Sequence, residues 1–375
     1  MESSRLKIAV LTSSRADYGI YLPLLKKLKA DEEFELYIVA FGSHCSEKYG
    51  KTVTNIRKDG FTVYAEIDNL IDDDSPKGIA KSCAKTIDLF ADFWDKNSQF
   101  DWVFCLGDRF EMAAAVNAGI PFGIKFAHIH GGETTLGAID NIYRHQITLA
   151  SKMHFPSLPI FKDRIHELIG KNTIDSIEIT GSLSLDNLKD IPLLTKGEFF
   201  EKWNIDLNRR SILVTIHPET VDFTMNESFC AESIAAFEKL KEYYQLIITM
   251  PNADTSGSVF RTAFENLQKQ DQNNVKLIEN FGTQSYFTCM KHVNFLLGNT
   301  SSGIVEAASF DKYVINLGDR QKGRFAGKNV IHVPFDSKQI LIAVDRLKGK
   351  TYEGINPYFQ GGATQKIIQT LKQLC

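Results

Sequence analysis

Short apolar runs rich in Val, Ile and Phe recur along this chain, each followed by an amphipathic stretch, and that alternation leaves few folds open. A run that is apolar on both faces suits a strand covered by helices on either side, which is the parallel sheet of repeated βα units. Strands are expected near residues 8–11, 36–41, 102–106, 124–129, 153–155 and 177–180. Between them, Leu22, Leu25 and Leu28 recur at three-residue intervals, and Ile79, Cys83, Ile87, Phe90 and Trp94 fall on one helical stripe. A polar, Pro-containing stretch at 186–210 precedes a second series, with strands near 212–216, 246–250, 275–278, 293–297, 314–317 and 330–333 and helices over 232–244 and 285–291. The pattern predicts an α/β fold of two doubly wound Rossmann-type domains with a cleft between them.

Length agrees with this division, because 375 residues are more than one core comfortably holds. Lys and Arg total 43 against 46 Asp and Glu, a net charge of −3, so there is no overall basic footprint for nucleic acid or an anionic membrane. The six cysteines, Cys45, Cys83, Cys105, Cys230, Cys289 and Cys375, are scattered without a CxxC pair, as expected of free thiols in a reducing compartment. The apolar stretch at 8–11 is too short for a signal-peptide core, and no uncharged run approaches the ~18 residues of a spanning helix. A cytoplasmic protein is the expectation.

Ligands of open parallel sheets lie beyond the carboxyl ends of the strands, so the loops there should carry the chemistry. In the first half they read Thr12-Ser13-Ser14-Arg15-Ala16-Asp17, Gly107-Asp108-Arg109 and His128-Ile129-His130-Gly131-Gly132-Glu133. The second half supplies His217-Pro218-Glu219-Thr220, Pro251-Asn252-Ala253-Asp254 and Gly298-Asn299-Thr300-Ser301-Ser302-Gly303. Ser301 and Ser302 open a stretch, 304–310, that reads as a helix; hydroxyls and free N–H groups at such a start suit a phosphate, and an ordinary Ser cap is the alternative. Glu306 follows at a spacing that suits a ribose diol. Neither half contains G-x-G-x-x-G or a P-loop, so dinucleotide binding and P-loop hydrolysis lose support. Arg15, Arg320 and Arg324 remain as phosphate-binding forks.

The first half adds acids at successive strand ends, Asp108, Glu133 and Asp140, an arrangement that general acid–base work requires. Asp140 and Arg144 are spaced i, i+4 and are expected to pair. His128, His130 and His145 raise a metal site, for which no second ligand cluster appears. His217 ends an apolar strand before Pro218, where it would meet a pyrophosphate or carry a proton.

In this order, Thr-Ser-Ser-Arg-Ala-Asp-Tyr-Gly (12–19), Leu-Gly-Asp-Arg-Phe-Glu (106–111), His-Ile-His-Gly-Gly-Glu (128–133), Asp140 with Arg144-His145, Thr-Ile-His-Pro-Glu-Thr (215–220), Asn-Ala-Asp-Thr (252–255), Gly-Asn-Thr-Ser-Ser-Gly-Ile-Val-Glu (298–306) and Gly-Asp-Arg-Gln-Lys-Gly-Arg (318–324) resemble the hydrolysing UDP-N-acetylglucosamine 2-epimerases of bacterial sialic acid synthesis. The resemblance implies a GT-B-like fold with an N-terminal domain over 1–187 for the sugar, a UDP-binding domain over 188–357, and a helix in 358–375 crossing back to the first. It implies conversion of UDP-GlcNAc and water to free N-acetylmannosamine and UDP, without NAD or a required metal, by a homodimer or homotetramer.

Carried over by motif, the resemblance implies that Ser301, Ser302 and Glu306 hold diphosphate and ribose, and that Arg15, Arg109, His217, Asn252 and Arg320 complete the UDP site. Asp108, Glu133 and Asp140 match acids placed around the sugar, near His130 and Arg144. Many relatives have a second acid directly after the match to Asp140, where this chain has Asn141. Rivals within the resemblance are the same reaction on UDP- or GDP-linked N,N'-diacetylbacillosamine, a GT-B glycosyltransferase and a nucleotide-sugar sensor. The non-hydrolysing epimerases usually show Arg-Pro-Glu and His-Arg-Arg-Glu where this chain reads Arg15-Ala16-Asp17 and His217-Pro218-Glu219-Thr220.

Overall fold

The computed structural model describes residues 5–73, 75–171, 176–221, 223–251 and 257–373. The chain divides into two compact units, one built from the stretches up to 133, 140–190 and from 358 onward, the other from 134–139 and 191–357. In the first unit β1 (Leu6–Thr12), α1 (Arg15–Ala30), β2 (Phe34–Phe41), α2 (Val53–Lys58), β3 (Val63–Ile67), α3 (Pro76–Lys96), β4 (Trp102–Leu106), α4 (Phe110–Gly119), β5 (Phe126–Ile129), α5 (Asp140–Ala150), β6 (Ser151–Phe155), α6 (Pro159–Ile169), β7 (Ser176–Ile177) and α7 (Asn187–Asp190) follow one another. The second contains α8 (Lys196–Trp203), β8 (Ser211–Thr215), α9 (Asn226–Leu240), β9 (Gln245–Thr249), α10 (Gly257–Gln270), β10 (Val275–Ile278), α11 (Gly282–His292), β11 (Phe295–Gly298), α12 (Ser301–Val305), β12 (Val314–Leu317), β13 (Val330–Val333) and α13 (Ser337–Leu347). The last helix, α14 (Ala363–Lys372), belongs to the first unit.

Each unit holds one sheet with strands in the order β3-β2-β1-β4-β5-β6-β7 or β10-β9-β8-β11-β12-β13. The pairings are parallel. In both, the order reverses beside the first strand, between β1 and β4 and between β8 and β11, and the loops leaving those strands are where such sheets bind ligands. The central strands are apolar on alternate faces toward two different cores. Ile8 and Val10 join a cluster with α1 and α14 residues such as Leu24 and Ile367, while Ala9 and Leu11 join one with Phe90, Trp94 and Met112. Likewise Ile212 and Val214 pack with α9 and α10, and Leu213 packs with Phe199 and Met290. Among the described residues no helix is long and apolar enough to cross a membrane, and Cys45, Cys83, Cys105, Cys230 and Cys289 are free thiols.

Local chemistry sets the helix starts. Ser14 and Asp17 form a capping box at α1, Thr195 and Glu198 form another at α8, and Ser75 with Pro76 opens α3. α14 is capped from a distance, as Asp186 accepts from the N–H groups of Ala363 (3.2 Å) and Thr364 (2.6 Å).

The structure departs from the sequence expectations in four places. It adds β3, an edge strand that alternates half-buried and exposed residues and whose Glu66 pairs with Arg57; that polarity hides the strand from an apolar-run criterion. The strand expected over 177–180 is the two-residue β7, paired with β6 alone. The expected helix over 304–310 is the five-residue α12 followed by a 3-10 turn at Ala307–Phe310. Residues 134–139, within the expected 1–187 domain, pack in the second unit, where Leu136 N–H donates to the Lys322 carbonyl (2.8 Å) and a Cβ on Gly137 would lie 2.1 Å from the Asp319 carbonyl.

One glycine carries the close approach of β8 and β11. Gly298 has φ +142, and a Cβ there would stand 1.9 Å from the Thr215 carbonyl oxygen. Gly298→Ala is expected to lose roughly 2–4 kcal/mol of stability, read as a lower denaturation midpoint; an unchanged midpoint would contradict this packing.

Candidate functional site

In the first unit the loop after β1 is organised by one carboxylate. Asp17 accepts from Thr12 Oγ1 (3.0 Å) and from the N–H groups of Ser13 (2.7 Å) and Ser14 (2.8 Å). Buried His44 lies 3.0 Å from Thr12 Oγ1 and 2.8 Å from Thr52 Oγ1. These contacts place Arg15 at the first position of α1, half-buried. Neither Asp17 nor His44 was singled out from sequence, since a cap and a lone histidine carry no functional signal by themselves.

The loops after β4 and β5 meet at Arg144. This guanidinium, 2% exposed, pairs with Asp108, donates through Nη1 to the His130 carbonyl (2.9 Å) and lies 3.7 Å from Glu133 Oε2. The pairing expected between Asp140 and Arg144 is thus corrected, because Arg144 turns inward from α5 toward two carboxylates in the loops, while Asp140 starts the helix. Glu133 is 1% exposed and its Oε1 accepts from His130 Nδ1 and Ser157 Oγ, each at 2.8 Å. Arg109, expected at the nucleotide, donates from Nε to buried Glu111 Oε1 at 2.5 Å.

The two histidines of the His-x-His segment do not converge. His128 donates from Nε2 to the Gly107 carbonyl (2.9 Å) and its Nδ1 lies 3.1 Å from Thr148 Oγ1, whereas His130 turns to Glu133. Among the described residues no group of three or more His, Cys, Asp and Glu side chains is placed to hold a metal ion. His145 is half-buried on α5, and burial lowers its pKa.

In the second unit neutral amides tie three loops together. Asn299 accepts from His217 N–H (2.7 Å) and donates to the His217 carbonyl (2.8 Å). Asn226 does the same for Glu219 at 3.0 and 2.9 Å, and Glu219 Oε1 accepts from Asp319 N–H at 2.6 Å. Arg320 Nη1 donates to the Pro218 carbonyl (2.6 Å), and Gln321 Nε2 to the Asn299 carbonyl (2.8 Å). His217 and Arg320 stand on the loops leaving β8 and β12, and Ser301, Ser302 and Glu306 lie on α12 and at its end, just after β11, the strand between those two.

Ser301 is exposed, whereas Ser302 Oγ lies 2.5 Å from the hydroxyl of Tyr286 on α11, whose pKa burial pushes up to about 12. Because α12 has five residues, its capacity for an anion resides in hydroxyls and loop N–H groups rather than in a long helix axis. Glu306, 8% exposed, caps the far end. Asn252, also expected at the nucleotide, lies outside the described residues.

Two doubly wound parallel sheets, with acids and imidazoles on the loops of one and hydroxyls, amides and arginines on the loops of the other, define a GT-B-like α/β protein. The chain belongs to the UDP-N-acetylglucosamine 2-epimerase family, whose profile matches residues 26–372. It is 32% identical to the polysialic acid biosynthesis protein P7 of Escherichia coli over 371 residues, covering 98% of this chain and 93% of that protein. It is also 32% identical to the hydrolysing GDP/UDP-N,N'-diacetylbacillosamine 2-epimerase of Campylobacter jejuni over 328 residues, 88% of this chain and 84% of that one. The crystal structure of UDP-GlcNAc 2-epimerase from Neisseria meningitidis bound to UDP-GlcNAc shares the fold, with a TM-score of 0.81 at 19% identity over 98% of this chain and 100% of that chain.

Removing the guanidinium would strand two carboxylates. Arg144→Met is expected to cost roughly 3–5 kcal/mol, seen as a lower unfolding midpoint, and a midpoint within error of the parent would refute the pairing. Burial also pushes the His128 pKa from 6.5 down to about 3. The unfolded chain then binds the proton that the folded chain refuses, so stability falls as pH drops from 6.5 toward 3, by up to about 1.4 kcal/mol per pH unit from this group. Denaturant melts across that window should be less steep in pH for His128→Gln.

Proposed function

We propose that this protein is a hydrolysing UDP-N-acetylglucosamine 2-epimerase, converting UDP-GlcNAc and water to N-acetylmannosamine and UDP in the cytoplasm, for sialic acid synthesis. The observation that carries the reading is the cluster of Asp108, His130, Glu133 and Arg144 on the first unit's strand-end loops, in a chain of the 2-epimerase family. C2–H of the sugar is not next to a carbonyl, so it becomes acidic only as the C1–O bond to UDP breaks and positive charge develops on the ring. Stabilising the leaving phosphate comes first, through Ser301, Ser302 and the arginines Arg15, Arg109 and Arg320, with Asn252 and His217 on the UDP and Glu306 on its ribose. Loss of the C2 proton to a first-unit base then gives 2-acetamidoglucal. Water adds its oxygen to C1 while a proton reaches C2 from the opposite face, which inverts C2 and frees the sugar.

Two faces require two proton carriers, for which Asp108, Glu133, Asp140 and His217 are the candidates, with His130 among the groups that contact the substrate. With Asn141 following Asp140, the latter serves orientation or the second transfer alone. No NAD or metal enters these steps. Family resemblance supports a homodimer or homotetramer. A second reading, the same reaction on UDP- or GDP-linked N,N'-diacetylbacillosamine, is favoured by the equal identity to the Campylobacter enzyme.

Incubation with each nucleotide-sugar in D2O separates these readings. UDP plus free N-acetylmannosamine bearing deuterium at C2 is the expected result. Turnover of the diacetamido substrate alone would move the sugar assignment, and UDP-ManNAc, acceptor dependence or binding without turnover would overturn hydrolysis. Asp108→Asn should lower turnover by about 10² to 10⁴.

A further inference from the structure

We infer that His130, rather than Glu133, takes the proton from the sugar, and that Glu133 is the positioning residue that holds and polarises its ring. This rests on the epimerase reading above and divides its acid–base roles. Glu133 is sealed at 1% exposure, and its Oε1 already accepts from His130 Nδ1 and Ser157 Oγ at 2.8 Å each. Its other oxygen lies 3.7 Å from Arg144. A carboxylate so enclosed cannot reach a sugar carbon. His130 is the member of the pair nearer to solvent, with 10% of its side chain exposed against 1% for Glu133.

The backbone of His130 is held in a conformation that L residues rarely adopt, φ +62, immediately after β5. Its N–H donates to the Phe155 carbonyl at 3.1 Å, and its carbonyl accepts from Arg144 at 2.9 Å. Left-handed backbone in a non-glycine residue persists only where surroundings enforce it, and such residues cluster at functional sites. Here the result is to aim one imidazole.

Because an ionised carboxylate only accepts, Nδ1 carries the hydrogen in this pair, and Nε2 is left with a lone pair. That nitrogen lies 3.4 Å from Ser182 Oγ, a contact long enough to yield to a substrate. As the C1–O electron pair leaves with UDP, the Nε2 lone pair takes the C2 proton and the C–H pair becomes the C1=C2 bond. The imidazolium so formed is stabilised by Glu133 and returns its proton to water. The charged and titratable groups around the ring are Glu133, Arg144 on α5 with Asp108 behind it, and His128 in β5.

The test uses the full chain, with UDP release and C2 deuteration as readouts. His130→Ala is expected to lose about 10² to 10⁴ in kcat with little change in KM, and added imidazole should restore part of it. Glu133→Gln should lower kcat with KM near the parental value and without imidazole rescue, and Glu133→Asp should recover part of the loss. A merely structural Glu133 would instead change KM and the unfolding midpoint together with kcat. Near-parental turnover in His130→Ala, or release of 2-acetamidoglucal by it, would overturn the assignment, as would near-parental kcat in Glu133→Gln. Should His130→Ala fail to fold, His130→Gln is read for the same loss of UDP release. Failure of the parent protein to release UDP from either nucleotide-sugar would remove the epimerase reading itself, a result distinct from all of these.

Discussion

A guanidinium cannot shed its charge inside a protein, so burying one obliges the fold to surround it with acceptors. Arg144 imposes that obligation on the first unit. Its position on the inner face of α5 draws in Asp108 from the loop after β4 and sets Glu133 and the His130 carbonyl around it from the loop after β5. The dependence runs both ways, since Glu133 at 1% exposure needs the nearby cation together with His130 and Ser157. Two strand-end loops and a helix are thereby fixed as one body, and the groups suited to proton transfer are fixed with them.

The second unit solves a different problem by different means. Its strand-end loops are tied chiefly by amides. Asn299 holds the backbone of His217, Asn226 holds that of Glu219, and Gln321 reaches the Asn299 carbonyl. Glu219 is the exception, and it accepts from a backbone N–H of the Asp319 loop. Order is supplied mainly by neutral groups, so it adds little to the local charge.

Much of this was legible from residue pattern alone. Ile8 to Leu11 and Ile212 to Val214 read as strands because each buries both faces, and the spacing of Leu22, Leu25 and Leu28 marks the helix that follows the first of them. Edge strand β3 was hidden by its exposed Tyr64 and Glu66, and α12 looked longer because Ala307 to Phe310 continues the apolar pattern while its hydrogen bonds tighten to 3-10. For the site, the residue types were readable and their partners were not. An i, i+4 spacing pointed Arg144 at Asp140, because spacing reports neighbours on one helix and says nothing about a carboxylate on another loop.

The sequence by itself determined that two parallel sheets would form, which loops would leave their carboxyl ends, and which acids, imidazoles, hydroxyls and arginines those loops would carry. These follow from local periodicity and turn chemistry, which act over a few residues. Only the tertiary structure decided that β1 and β4, and β8 and β11, would be neighbours, that Arg144 would face Asp108 across 36 residues, and that Glu133 would lie behind His130. Those outcomes depend on strand order and on the cost of burying charge, and neither is written in any short stretch of chain.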